Sequence, residues 1–200
     1  IIYDKKYEDL LLLQRTGLKK YKVITNKILT DCIMKDFIRL ENYITKDIKN
    51  WLDIGCGLGY INIPIFKKLN TGNIYLLDKS KIETHKRITQ FGSAKDFGFY
   101  NNLEFTKEFL MLNGIPDEKI NLITADSINN IDKKLDLVIS LLSWGFHYPF
   151  DTSILNLSTR LRQTLASLYR WKHQCGWKMV VATGGLIVGR KNTIARKRRL

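Results

Sequence analysis

The apolar positions of this 200-residue chain change period twice, and each change marks a kind of element. Up to residue 48 the pattern is helical. Leu10 to Leu13 form an apolar cluster, and Ile28, Cys32, Ile33, Phe37 and Leu40 recur at three- and four-residue spacing, one stripe along a helix. From Trp51 onward come short apolar runs of strand length. Trp51-Leu52-Asp53-Ile54, Asn73-Ile74-Tyr75-Leu76-Leu77 and Asn121-Leu122-Ile123-Thr124-Ala125 each hold or run into an acid: Asp53, Asp78 and Asp126. A fourth run, residues 135–142, stays apolar on consecutive positions, as a strand covered on both faces does.

The segments between the runs read as helices. Residues 60–69 are a helix with Pro64 in its first turns, where a missing N–H is tolerated. Residues 103–113 are a second, with Gly114 as its C-cap and Pro116 beyond. Strand and helix therefore alternate, which predicts an α/β domain on a mostly parallel sheet. Residues 80–119 are longer than a minimal connector, and Phe97, Phe99, Tyr100 and Asn101 lie in an aromatic, Gly- and Asn-rich loop suited to shaping a pocket or anchoring on the surface. After Asp151 the pattern weakens. A helix over 154–173 is followed by residues 179–183, Gly184-Gly185 and 186–189, which fit one hairpin or one long strand.

Where the first run ends, the chain reads Asp53-Ile54-Gly55-Cys56-Gly57-Leu58-Gly59-Tyr60. Alternate glycines at a strand-to-helix turn let the backbone take positive φ and approach a ligand at contact distance. The helix start near Tyr60 is expected to offer unpaired N–H groups to an anion. Asp53 would accept from a ligand ammonium and would repel a pyrophosphate. A zwitterionic amino-acid tail suits both ends. The dinucleotide fingerprint GxGxxG would need its last glycine at position 60, where Tyr60 stands.

This stretch resembles the first motif, DxGxGxG, of the class I S-adenosylmethionine (SAM)-dependent methyltransferases. The later runs follow in the family's order. Asp78, nineteen residues after Gly59, is placed to hold two ribose hydroxyls. The resemblance implies a Rossmann-like, doubly wound α/β fold, SAM as cofactor, and a cofactor site drawn from Asp53, Gly55, Cys56, Gly57, Gly59, Asp78, Lys79, Asp126, Ser127 and Ser140. Asp126 would meet the adenine amino group. Cys56 reads as a small packing residue and not a nucleophile.

In this family the end of the fourth strand lies beside the reactive methyl, and here it carries Ser140-Leu141-Leu142-Ser143-Trp144-Gly145-Phe146-His147-Tyr148-Pro149. The donor arrives activated, so transfer needs alignment above all, and a base only where the acceptor must lose a proton. His147 is the candidate base. Ser143 and Tyr148 would orient the acceptor, and Trp144 would wall the pocket. The Asn/Asp-Pro-Pro-Tyr/Phe tetrad of exocyclic-amine methyltransferases is missing. So is a cysteine after the fourth strand for covalent attack on a pyrimidine. The expected acceptor is a small-molecule or sugar hydroxyl.

Composition fits one such domain with a sizeable core: 44% of residues are hydrophobic. Cys32, Cys56 and Cys175 form no CxxC pair, so no disulfide framework and no metal site are expected, and a cytoplasmic location fits. No apolar run approaches the roughly eighteen residues of a membrane span. The chain does not begin with Met, as a piece of a longer one would not.

Charge alters the picture at one end. Residues 151–200 hold eleven Lys and Arg against one Asp, so most of the net charge of +14 belongs to the last quarter. Arg160, Arg162, Arg170, Arg190 and the run Arg196-Lys197-Arg198-Arg199 are suited to nucleic-acid phosphates, or form a solvated tail, or follow a lost native reading frame. A complete fold of this family expects a fifth strand, a helix and a closing antiparallel pair, and the sequence looks short by one or two strands. The expected layout is a helical cap segment over 1–48, a SAM-binding domain over 49–189 and a basic tail over 190–200. An RNA methyltransferase and an inactive or truncated SAM-binding protein are the alternatives to the hydroxyl-directed enzyme.

Overall fold

The computed structural model describes residues 1–78, 101–124, 127, 131–141, 180–183 and 186–187. Among these residues six strands form one sheet in the order β3-β2-β1-β4-β5-β6: β1 Asn50–Ile54, β2 Asn73–Leu77, β3 Ile120–Ile123, β4 Leu137–Ser140, β5 Val180–Thr183 and β6 Leu186–Ile187. The first four are parallel. Trp51 lies opposite Ile74 on one side and Leu137 on the other, and Ile74 opposite Ile120. The pair β5–β6 is a hairpin whose first strand runs antiparallel to β4, with Val138 opposite Ala182. Of the two layouts the sequence allows after residue 178, the described residues Val180–Thr183 and Leu186–Ile187 show the antiparallel pair, which docks directly on β4. Among the described residues no fifth parallel strand intervenes.

The chain winds outward from β1 to β2 and β3, then crosses back to place β4 on the other flank of β1. That reversal falls at the carboxyl ends of β1 and β4, the usual ligand position in open α/β sheets. β1, β2 and β4 are buried on both faces, β4 throughout its length, which explains the unbroken apolar run read from the sequence.

Among the described residues four α-helices accompany the sheet: α1 Glu8–Gln14, α2 Asn26–Leu40, α3 Asn62–Leu69 and α4 Leu103–Leu112. In α2 the Thr25 hydroxyl caps the Ile28 N–H, and Leu29, Ile33, Phe37 and Leu40 turn inward at the expected spacing. In α4 the Asn102 side chain caps Glu104 and Phe105, and Gly114 follows the helix at φ 85°.

The segment before β1 joins the same core as the sheet. Tyr7 meets Phe105 and Phe109 of α4 edge-on, at 6.2 and 5.2 Å between ring centres. The Asn113 side chain bonds both the N–H and the carbonyl of Ile2. Each fully buried Leu or Phe in such a core contributes about 1.5–3 kcal/mol of burial free energy. Among the described residues, no helix is long and apolar enough to cross a membrane.

Two devices fix the entry of β1. The Asp136 carboxylate just before β4 accepts from the Lys49 and Asn50 N–H groups, locking β1 against β4. Gly72, at φ 122°, lets the chain turn into β2 beneath the Trp51 indole; a Cβ there would stand 2.5 Å from Trp51 Cζ3.

Candidate functional site

The site is built around the turn between β1 and α3. Gly55, Gly57 and Gly59 hold φ values of 64°, 55° and 64°, so the alternating glycines meet an alternating demand for left-handed backbone. The turn is closed by contacts from far along the chain. The N–H groups of Gly55 and Cys56 bond the Leu77 carbonyl at 2.7 and 3.3 Å. The Gly57 N–H bonds Asp78 Oδ2 at 2.8 Å, the Leu58 N–H bonds Gln14 Oε1 at 2.9 Å, and the Gly59 N–H bonds the Cys56 carbonyl at 2.8 Å. At the helix start, Asn62 and Ile63 donate to the carbonyls of Gly59 and Tyr60. The expectation that this region offers unpaired N–H groups is therefore corrected for these seven amides. The protein itself takes them, because a buried donor without an acceptor is costly.

Asp53 and Asp78 flank the turn as the sequence predicts, in unlike settings. Asp53 is 2% exposed, and Asn62 Nδ2 donates to its Oδ2 at 2.7 Å. The same nitrogen donates to the Gly59 carbonyl, and Asn62 Oδ1 accepts the Trp51 indole N–H at 2.8 Å. Burial pushes the Asp53 carboxyl up to about 7; the Asn62 hydrogen bond opposes the rise and the Asp78 charge adds to it. Asp78 stands one residue beyond β2, where Oδ2 takes the Gly57 N–H and, at 3.1 Å, Asn101 Nδ2. Asn101 Nδ2 also reaches the Gly57 carbonyl at 3.0 Å, and Thr106 Oγ1 donates to that carbonyl at 2.7 Å.

Cys56 is buried, with its thiol directed to the Gly57 carbonyl at 3.4 Å. Burial, together with the charges of Asp78 and Asp53, drives its pKa well upward, which suits a packing residue and disfavours a nucleophile. Ser140, the last residue of β4, donates from Oγ to the Ile54 carbonyl at 3.0 Å and ties the ends of β4 and β1 together. Ser127 forms a local turn after β3, its hydroxyl meeting the N–H and the carbonyl of Thr124. Lys79, Asp126, Ser143, Trp144, His147 and Tyr148 lie outside the described residues, as do the basic positions after Asp151.

Gln14, Asn62, Asn101 and Thr106 were not singled out as partners of the turn. For Asn62 a signal existed: one amide inside the apolar run Ile61-Asn62-Ile63-Pro64-Ile65 demands buried partners. Gln14 and Thr106 act across 44 and 49 positions and left no local trace.

Three buried polar atoms of this region have no hydrogen-bond partner among the described residues: Gln14 Nε2, Arg15 Nε and Asn101 Oδ1. Two are donors and one is an acceptor. The turn thus presents two acids, close backbone approach and a few orphaned polar atoms. This set fits a ligand with hydroxyls to donate, a cationic centre and an anionic end. A pyrophosphate would face both carboxylates.

No family model and no curated protein matches the chain. Among solved structures, a proposed O-methyltransferase from Nostoc punctiforme is similar at 15% identity and a TM-score of 0.44, over 81% of this chain and 39% of its own. A proposed caffeoyl-CoA O-methyltransferase from Staphylococcus aureus follows at 14% and 0.34, over 65% of this chain and 64% of its own. A riboflavin-analogue enzyme, N,N-8-amino-8-demethyl-D-riboflavin dimethyltransferase from Streptomyces davawensis, stands at 16% and 0.38, over 80% and 47%. The chain spans less than two thirds of the length of each. At TM-scores below 0.5 these likenesses assign no activity, and the fold stands on the strand order and register described above. The chain has a Rossmann-like α/β fold, and the structures it is similar to are named as methyltransferases.

Proposed function

We propose that the chain binds S-adenosylmethionine and transfers its methyl group to a small-molecule or sugar hydroxyl. The observation that carries this reading is Asp78: a carboxylate at the tip of β2, hydrogen-bonded to the middle of the glycine turn at the tip of β1. A ribose diol laid against that turn finds an acceptor in Asp78. Above about pH 7, where its carboxyl is ionised, Asp53 adds negative potential beneath the turn, which favours a cationic ligand over a phosphate. When bound, the cofactor supplies a methyl group already activated on sulfur.

The chain's own part is to bind, align and exclude water. Asp78 and the turn hold the nucleoside, and Ser140 fixes the ends of β1 and β4 beside it. Lys79, Asp126 and Ser127 extend the cofactor site in this reading. Ser143, Trp144 and Tyr148 orient the acceptor, and His147 takes the proton from its hydroxyl. Calorimetric titration with SAM and S-adenosylhomocysteine, followed by a methyl-transfer screen over sugars, small phenols and RNA, tests it. Binding that drops at least about tenfold in Asp78→Ala is the expected result, the weight of a charge-assisted contact. Absence of binding by the unaltered chain sinks the reading.

The charge of residues 151–200 favours a second reading, an RNA methyltransferase. RNA affinity that falls steeply with salt, and loses that slope on deletion of 190–200, would favour it. A chain that binds SAM and methylates nothing in the screen would be the third possibility, a binding protein without catalysis.

A further inference from the structure

The amides of the glycine turn are consumed within the protein. Gly55, Cys56, Gly57, Leu58 and Gly59 all donate to protein acceptors, and so do Asn62 and Ile63 at the helix start. An anionic group seated against these seven amides needs donors from elsewhere, and side chains can supply them. Two stand there. Gln14 ends α1, and its carboxamide lies on the turn: a Cβ on Gly57 would meet Gln14 Oε1 at 2.6 Å and Nε2 at 3.1 Å. Its orientation is fixed, because only the oxygen can accept the Leu58 N–H. That leaves Nε2 facing the turn, buried and without an acceptor among the described residues.

The next residue repeats the situation. Arg15 lies over the Tyr60 ring, directly after the third glycine, at 4.6 Å from its centre. Its terminal nitrogens are engaged by Asp36 and by Cys32 Sγ, while its Nε is buried with no acceptor. Two neighbouring side chains thus carry two orphaned donors, one of them on a guanidinium: Gln14 against Gly57 and Leu58, and Arg15 over the ring that follows the third glycine.

We propose that Gln14 and Arg15 form the receptor for the carboxylate of the cofactor's amino-acid tail, with Gln14 Nε2–H and Arg15 Nε–H as its donors. This rests on the SAM reading above. It makes the N-terminal segment part of the cofactor site, where its helical pattern alone suggests packing. The two residues are binding residues; they move no proton.

The test compares two ligands by calorimetry on the full chain: S-adenosylhomocysteine, which has the amino-acid tail, and 5′-methylthioadenosine, which lacks it. Gln14→Glu keeps the side-chain length and the acceptor for the Leu58 N–H, replaces the donor with an oxygen and adds a negative charge, so the neutral Gln14→Met, which also lacks the donor, is measured beside it. The homocysteine ligand should bind at least about tenfold more weakly to both variants, while the methylthio ligand stays within about twofold. Arg15→Lys, which keeps the charge and removes Nε–H, should show the same selectivity. Equal weakening of both ligands, or no weakening of the first, overturns the proposal. Where Gln14→Glu lacks a cooperative thermal transition, Gln14→Met alone decides under the same criterion. If the unaltered chain binds neither ligand, the SAM reading itself falls and the carboxylate receptor with it. If it binds both and the variants do not discriminate, only the receptor falls.

Discussion

Asn62 Nδ2 donates to Asp53 Oδ2 at 2.7 Å, so a helix residue on the far side of the glycine turn holds the acid that precedes it. The same carboxamide serves the Gly59 carbonyl and the Trp51 indole, and none of it reaches solvent. Strand, turn and helix are thereby stapled from within.

Asn62→Ala would strand two buried groups at once, the Asp53 carboxyl and the Trp51 indole N–H, while the backbone N–H at position 62 still serves the Gly59 carbonyl. The expected loss is about 3 kcal/mol, at the upper end for a buried hydrogen-bonding side chain. Urea denaturation of variant and parent measures it, and a loss below about 1 kcal/mol would mean that the network relaxes around the gap.

Asp53 gives the fold a pH dependence with a definite sign. Its carboxyl rises from an ordinary 3.8 to about 7 on burial, so the folded state prefers the protonated form. The contribution is fully present below about pH 4 and is lost as pH climbs through 7, the reverse of a salt-bridged carboxylate. Unfolding free energies measured across pH 4 to 8 should therefore fall more steeply with rising pH in the parent than in Asp53→Asn. Parallel curves would show that the group titrates normally.

Gly72→Ala should be far worse than its size suggests. The new methyl would meet Trp51 Cζ3 at 2.5 Å and the Lys49 carbonyl at 2.9 Å, at a backbone φ of 122° that a side chain rarely takes. Neither neighbour is a flexible end, since Trp51 is wholly buried and the carbonyl belongs to the chain. A cost of about 3 kcal/mol or more is expected from overpacking and strain together. Gly17→Ala is the control, because a Cβ at Gly17 meets nothing within 4 Å. Thermal melts of the two distinguish them.

Thr106→Val keeps the shape of a fully buried side chain and removes its hydroxyl from the Gly57 carbonyl. A loss of about 1 kcal/mol in stability is expected, one net hydrogen bond, because Asn101 still serves that oxygen. Denaturant midpoints at unchanged slope would confirm it; a neutral variant would show that Asn101 alone suffices.

Much of this was legible in the chain. The stripe of Leu29, Ile33, Phe37 and Leu40, the cap at Gly114, and the two acids beside the glycine turn follow local rules of spacing and backbone freedom. What holds the turn was not legible. Gln14, Asn101 and Thr106 reach it through the fold, and an exposed glutamine in sequence looks like a buried one. The hairpin of β5 and β6 was half legible: Gly184-Gly185 allowed a turn, but only the antiparallel pairing of Ala182 with Ile187 and Thr183 with Leu186 decides against a continuous strand. The donor inventory was misread for a related reason. Counting helix-end N–H groups from sequence presumes that nothing else in the molecule claims them.

Because Asp78, Gln14 and the Leu77 carbonyl already engage the turn amides, the loop holds its shape with no ligand to fold around. A molecule arriving there meets a finished surface, so little conformational entropy is surrendered on association. Hydrogen exchange at Gly55 through Gly59 should then be slow in the free protein and change little on saturation. The groups that respond to occupancy would be side chains, which places the energetics of recognition on the walls of the site and leaves its floor constant.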